Sequence, residues 1–491
     1  MKVRVPWRRL LSLVVLAAWL ATAWWHTHKP LPPGTHVSSP VCTVPAAAPL
    51  FLADTTTADA FGRRLVSQEI FDGVLALIAH ADRFIVLDYT LFGSAPGEAA
   101  PQRHVARALT DALLARTRER PDIAILFITD PASEGYGAAP SDELQLLRAA
   151  GIEVVTTDLN RLRDSNFLWS SLWRLTLRWW VSPSRPLGIA TRQLNFKANG
   201  RKLIIADEPG GGLTAIVGSA NPSDAESAWS NVAVRVEGAA LRALLGSELE
   251  IARFSGWRGH REAYEGAARA PPAPGCTTGP AVPPTPAGPT EGSAAAQLLT
   301  EGAIRTAVLA RLDATMAGDS VDAAVQYLAD RGVVESLLAA ARRHVSVRLI
   351  LDPNEGSTRG GIAGVPNQPV ASELVSRSDG SIRVRWYRTH GERFHAALLA
   401  IYGPQRLWLT AGSAQLTRRS LEDYNLVANA AIELARDAPL AQQALQYFDT
   451  LWANRAAPGI EYTADFAAYA NPAQLDYWLY RLMEGSGLSS F

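Results

Sequence analysis

Two stretches of the chain end alike. Gly218-Ser219-Ala220-Asn221 is followed ten residues beyond Asn221 by Asn231, and Gly412-Ser413-Ala414-Gln415 is followed ten residues beyond Gln415 by Asn425. Each signature comes after two short apolar runs flanking a turn: Lys202 to Ala206 with Thr214 to Val217, and Ala396 to Tyr402 with Leu407 to Thr410. Such runs read as buried strands. A chain that writes this unit twice is constrained to build two alike halves, and 491 residues are too many for one ordinary core.

The body keeps the same order on both sides. In the first half a helical pattern, Thr57 to His80, precedes the strand Phe84 to Leu87, and a helix near Arg103 to Arg118 leads into Ile123 to Ile128. In the second, a helix after Ala294 precedes Ala323 to Val325, and a helix from Val333 to Arg343 leads into Val345 to Leu351. Edge strands follow at Ile152 to Val155 and Ile382 to Trp386. Strands alternating with helices predict a mostly parallel sheet covered by helices in each half. Asp130 and Asp352 end strands just before Pro, which marks them as turn formers rather than catalysts. His80, His104, His260 and His344 have no motif around them.

Gly266 to Gly292 carries Pro271, Pro272, Pro274, Pro280, Pro283, Pro284, Pro286 and Pro289, which excludes helix and central strand and leaves an extended linker. The segment from His26 to Ala48 reads as a spacer. The expected organisation is therefore an anchor over 1–28, a first domain over 48–265, a linker over 266–293 and a second domain over 294–491. The start of the chain combines Lys2, Arg4, Arg8 and Arg9 with an apolar run from Leu10 to Trp25. This is either a cleavable leader or a signal anchor, and Trp24 after Ala21-Thr22-Ala23 favours the uncleaved transmembrane anchor. Its basic flank stays in the cytoplasm, which places the body on the extracytoplasmic (periplasmic) side. Phe167 to Val181, with Trp169, Trp173, Trp179 and Trp180, is a helix whose 168, 172, 175 and 179 stripe packs on the core. The alternative is that it lies at the membrane surface with Arg174 and Arg178 among phosphates.

With 47 basic and 47 acidic residues, the chain lacks the clustered positive charge that nucleic-acid binding needs. Cys42 and Cys276 form no Cys-x-x-Cys pair, which argues against a thiolate zinc site. They are either disulfide-bonded to each other or two unpaired thiols. No sequence signal sets an oligomeric state.

The signature resembles that of the phospholipase D superfamily: His-x-Lys, four residues, Asp, then Gly-Ser-x-Asn. The resemblance runs from about Ala48 to Glu433, and Gly412 to Asn425 looks like the phospholipase D and cardiolipin-synthase-like branch. It implies an α/β fold of two tandem lobes forming a pseudo-dimer, here with an N-terminal transmembrane helix. It also implies phosphoryl transfer without metal or cofactor, on a phospholipid or other phosphodiester. In that scheme one His attacks phosphorus, the His of the other half protonates the leaving alcohol, and two Lys with the Gly-Ser-x-Asn groups hold the phosphate. Carried over by residue, His395, Lys202 and Asp207 are the catalytic positions, and Ser219, Asn221, Ser413 and Gln415 the phosphate-binding ones. Gly200, Ala397 and Tyr402 replace the remaining His, Lys and Asp. The expectation is a one-histidine phosphodiesterase or transphosphatidylase acting through His395. The alternatives are a phosphate- or lipid-binding pseudoenzyme and, third, a nuclease-like phosphodiesterase.

Overall fold

The computed structural model describes residues 7–59, 61–94, 103–137, 141–182, 185–259, 262–271, 274–277, 290, 292–355, 362–455, 460–489 and 491. Two sheets dominate. The first orders its eight strands Arg64–Ser67, Leu50–Ala58, Asn231–Glu237, Leu213–Gly218, Lys202–Asp207, Phe84–Tyr89, Ala124–Thr129 and Glu153–Thr156. The second orders ten: Cys276–Thr277, Val41–Pro45, Ser293–Thr300, Ala428–Ala435, Arg406–Gly412, Ala397–Tyr402, Ser320–Val325, Ser346–Leu351, Ile382–Tyr387 and Thr463–Asp465.

Parallel pairing is confined to the three strands in each sheet joined through helices, at Phe84, Ala124 and Glu153 and at Ser320, Ser346 and Ile382. The expectation of mostly parallel sheets is therefore corrected. A parallel pair needs a crossover, and only Val105–Glu119, Asp142–Ala149, Arg331–Arg342 and Asn367–Arg377 supply one. Hairpins and long returns make the other ladders antiparallel, as between Lys202–Asp207 and Leu213–Gly218.

Each sheet buries one face under its own helices. The other faces meet: Leu203, Ile205, Val217 and Val234 share one core with Leu398, Leu409, Ala430 and Ile432. The two lobes are thus halves of a single packed body, with the Gly-Ser signatures brought to their common seam.

Several local expectations change. Thr57 to His80 is not one helix; Leu50–Ala58 and Arg64–Ser67 are strands, and the helix is Ile70–His80. The β-branched run Thr55-Thr56-Thr57 suits a pleated strand better than a helix. The helix expected after Ala294 begins only at Gly302, because Ser293–Thr300 pairs with Ala428–Ala435 along its full length. Tertiary pairing there overrides the helical preference of three alanines. The spacer contributes Val41–Pro45 to the second sheet, and the expected linker opens inside a helix, Glu262–Arg269. Cys42 and Cys276 face each other across an antiparallel pair and are disulfide-bonded. Pro280, Pro283, Pro284, Pro286 and Pro289 lie outside the described residues.

Trp7–His28 is an apolar helix long enough to cross a membrane. The stripe Leu168, Leu172, Leu175 and Trp179 does not pack on the core. Leu172 and Leu175 turn toward that helix, and Trp179 is exposed. Arg174 is not free to meet phosphates, since it is buried in a bidentate pair with Asp164 at 2.9 and 2.9 Å.

Candidate active site

An aspartate shapes the approach to each motif. Asp130 Oδ2 accepts the backbone N–H of Asn199 at 2.7 Å, and Asp352 Oδ2 accepts that of Phe394 at 2.9 Å. The other oxygens close the turns onto Ala132 N at 2.8 Å and Asn354 N at 2.7 Å. Burial pushes Asp130 up to about 7 and raises Asp352 as well. The next residue then crosses the seam: His395 N donates to Ser230 O at 2.8 Å, and Gly200 N donates to Leu426 O at 2.7 Å.

These bonds set the true correspondence between the lobes. Ser219 N donates to Val232 O, and Ser413 N to Ala428 O. By that register Asn231 corresponds to Val427. The shared offset of ten residues is therefore not structural equivalence, because Asn425 stands two places earlier, where its Oδ1 accepts Ala198 N at 3.1 Å.

His395 is partly buried. Its Nδ1 lies 3.0 Å from Asn231 Oδ1, which also accepts Ser219 Oγ at 3.0 Å. Asn231 Nδ2 donates to Trp229 O at 3.1 Å, which fixes the amide with its oxygen toward the ring. Nδ1 therefore carries the proton, and the lone pair sits on Nε2. Burial, then the charges of Lys202 and Arg393, hold the imidazole well below its ordinary pKa, against a backbone contact to Ser219. The ring is neutral at neutral pH, as a nucleophile requires. Trp229 packs edge-on against it at 5.3 Å.

Lys202 lies two residues beyond Gly200 on the same strand face, buried, with Nζ donating to Gly200 O at 3.1 Å. Burial lowers it to about 8, opposed by Glu226, Asp88 and Asp130. Across the seam the matching half is dismantled. A Cβ on Gly200 would meet Leu426 O at 3.0 Å and Val427 Cγ1 at 3.5 Å. So where Asn231 faces His395, Val427 faces Gly200: both members of one polar pair are missing together.

The other expected residues are placed elsewhere or already occupied. Asp207 ends the strand that Lys202 begins, roughly 17 Å away at about 3.4 Å per residue. It accepts Arg83 N at 2.8 Å, Phe84 N at 2.9 Å and Arg83 Nε at 2.7 Å, so it caps a strand and is not with the catalytic pair. Tyr402, at the corresponding place, donates to Asp322 Oδ2 at 2.9 Å. Gln415 accepts Gln326 N at 2.9 Å and Tyr327 N at 3.2 Å and donates to Ala396 O at 3.1 Å, which ties a loop. Ser413 Oγ accepts Ala428 N at 3.0 Å. Asn221 accepts Leu91 N at 3.2 Å and donates to Glu226 at 2.8 Å. The seam brings His395, Lys202 and Ser219 together with Asn231, whose role sequence reading missed.

It also missed Arg201. Between Gly200 and Lys202, this side chain points to the opposite face and is fully buried. It donates to Glu248 Oε1 at 2.8 Å, Ser247 Oγ at 2.9 Å, Glu301 at 2.8 and 3.1 Å and Thr35 O at 3.1 Å. Glu301 belongs to the second lobe, so one guanidinium bolts the halves together beside the site. Burial and the neighbouring Glu248 raise Asp88 well above its ordinary pKa, and both its oxygens accept from Asn199 Nδ2 at 2.8 and 2.9 Å.

Residues 311–452 match the family model of the cardiolipin synthase, phospholipase D-like domain. The structure of phosphatidylserine synthase from Haemophilus influenzae superposes on 92% of this chain and 96% of its own, with a TM-score of 0.56 at 10% identity. The fold is that of the phospholipase D superfamily. A phospholipase D family member from Salmonella typhimurium, Nuc, aligns with 33% of this chain and 95% of its own at 19% identity and a TM-score of 0.25. No curated protein matches by sequence.

Proposed function

We propose that the protein is a membrane-tethered phospholipid phosphodiesterase or transferase that works with one histidine. The observation that carries this reading is His395 Nδ1 at 3.0 Å from Asn231, which puts the lone pair on Nε2 of a neutral ring near Lys202. Nε2 forms a bond to phosphorus, the head-group alcohol leaves with the electron pair of its P–O bond, and Lys202 holds the non-bridging oxygens. Water or a second alcohol then displaces His395 from phosphorus. The leaving alcohol takes its proton from solvent, because Gly200 has none to give. The absence of a positioned acid costs about 10²–10⁴ in rate.

Location supports a lipid substrate. Pro131, adjoining the Asp130 turn that positions Asn199, lines a cavity with Trp173 and Arg174 of the segment beside the N-terminal helix. The C-terminal helix adds exposed Leu475, Trp478 and Leu482. Basic residues before Trp7 and the apolar helix after it support a body on the extracytoplasmic side. The balanced charge speaks against nucleic acid.

Joint loss of a histidine and its amide partner at Gly200 and Val427 favours a second reading, a lipid-phosphate binder without turnover. Head-group release from mixed phospholipid vesicles by the wild type and by His395→Ala separates the two. Release that vanishes in the variant, with phosphohistidine trapped on alkaline denaturing quench, supports the enzyme. No release by either leaves the binder.

A further inference from the structure

The N-terminal helix does not leave the body alone. Asp164 N donates to His26 O at 2.9 Å, and Trp19 Nε1 donates to Leu168 O at 3.1 Å. Farther along, Leu11, Val15, Leu16 and Trp19 share a groove of about 560 Å³ with Leu172 and Leu175. Numbers rise on one helix as they fall on the other, so Phe167–Leu175 runs antiparallel beside it. At about 1.5 Å per residue, Leu175 lies roughly 16 Å beyond Asp164, about half a hydrocarbon core of about 30 Å. A bilayer that contains Leu11 to Trp19 must also contain Leu172 and Leu175.

The segment is chemically suited to lipid. Of its three hydroxyls, Ser171 Oγ donates to Phe167 O at 2.7 Å and Thr176 Oγ1 to Leu172 O at 2.6 Å, while Ser170 is buried against the body and does not face outward. Trp169 Nε1 donates to Thr191 O at 3.1 Å and Trp179 Nε1 to Arg174 O at 3.0 Å. The one charge within Phe167–Leu175, Arg174, is buried in a pair with Asp164, which also holds Lys197. What faces outward is apolar: Trp179 is 74% and Trp180 86% exposed, an unfavourable surface in water. Arg178 beside Trp179 can extend its guanidinium toward phosphates.

We propose that Phe167–Trp180 is a re-entrant membrane segment that enters the lipid beside the N-terminal helix, its outward face covered by acyl chains. This rests on the tether proposed above. It makes the membrane attachment two-stranded and fixes the orientation of the body, which a single swivelling helix would not.

The test uses the full chain in vesicles of phosphatidylethanolamine and phosphatidylglycerol, with one nitroxide at a time on Leu13→Cys, Leu175→Cys, Trp180→Cys or Asp122→Cys. The native cysteines are disulfide-bonded and take no label. Asp122 stands before Ala124–Thr129, at the far end from the tether, and reports water. The expected result is that labels at 13, 175 and 180 collide more with oxygen than with a water-soluble nickel chelate, and the label at 122 the reverse. Lipid at 13 with water at 175 and 180 overturns the re-entrant segment and leaves the tether standing. Water at 13 overturns the tether and this inference with it.

Discussion

Arg201→Met removes the guanidinium that joins the lobes and fills its space with an apolar chain. It leaves Glu248 and Glu301, both with fully buried side chains, without their cation. With two buried carboxylates left and no cation between them, one of these glutamates must take up a proton for the fold to survive. From an ordinary glutamate pKa of about 4.3, that uptake costs about 3.7 kcal/mol at pH 7 and about 1 kcal/mol at pH 5. The first figure falls in the range of about 3–5 kcal/mol for breaking a buried ion pair. Burial already raises Glu301, which makes it the acceptor. The sign follows: the penalty shrinks as pH falls toward the carboxylate range. At about 1–2 °C per kcal/mol for a body of this size, the melting temperature should drop by roughly 4–7 °C at pH 7 and by about 1–2 °C at pH 5. Thermal unfolding of wild type and variant in one detergent at both pH values measures it. A drop of under 2 °C at pH 7, or an equal drop at both, would refute the claim that this arginine compensates buried charge. Arg201→Met with Glu301→Gln should recover part of the loss.

Three further outcomes follow from the site. Lys202, held at about 8 by burial, loses its charge above that pH, so head-group release should fall about tenfold per unit beyond it, while Lys202→Arg should keep a lower plateau past pH 9; a pH–rate series from 6 to 10 checks both. Gly200→His alone should give less than a twofold gain in release, because its Cβ crowds Leu426 O and Val427 offers the ring no partner; only addition of Val427→Asn supplies one. Asp207→Ala should cost about 1–3 kcal/mol in denaturant midpoint by leaving Arg83 N and Phe84 N unpaired, yet keep release per folded molecule within twofold.

Much of this molecule was legible because short-range pattern and long-range structure agreed. Phe84–Tyr89 and Lys202–Asp207 are buried along their whole length, and their apolar runs announced it. The strand at Ser293–Thr300 was hidden since its alanines favour helix in isolation and become a strand only against Ala428–Ala435. Motif position singled out His395 and Lys202, which the structure brings near each other at the seam. It misplaced Asp207, because a conserved-looking spacing along a strand carries no information about which end meets the substrate. Asn231 and Arg201 could not be assigned roles, since both act on residues of the other lobe, 100 positions away in Arg201 to Glu301 and 164 in Asn231 to His395.

The strand Val41–Pro45 carries a consequence for biosynthesis. It leaves the ribosome before either lobe, yet its neighbours are Ser293–Thr300 and Cys276–Thr277. At about 5–20 residues per second, its partners follow it roughly 12–50 s later. Throughout that interval a β-forming segment stands open on the chain, while the first lobe has all its own strands by Glu237. Closure of the second sheet is therefore a late, non-local event of the kind that sets slow folding. Cys42 cannot find Cys276 until the first lobe has been made, so oxidation of that pair reports that the chain has passed the first lobe and joined its two ends at the second sheet's edge.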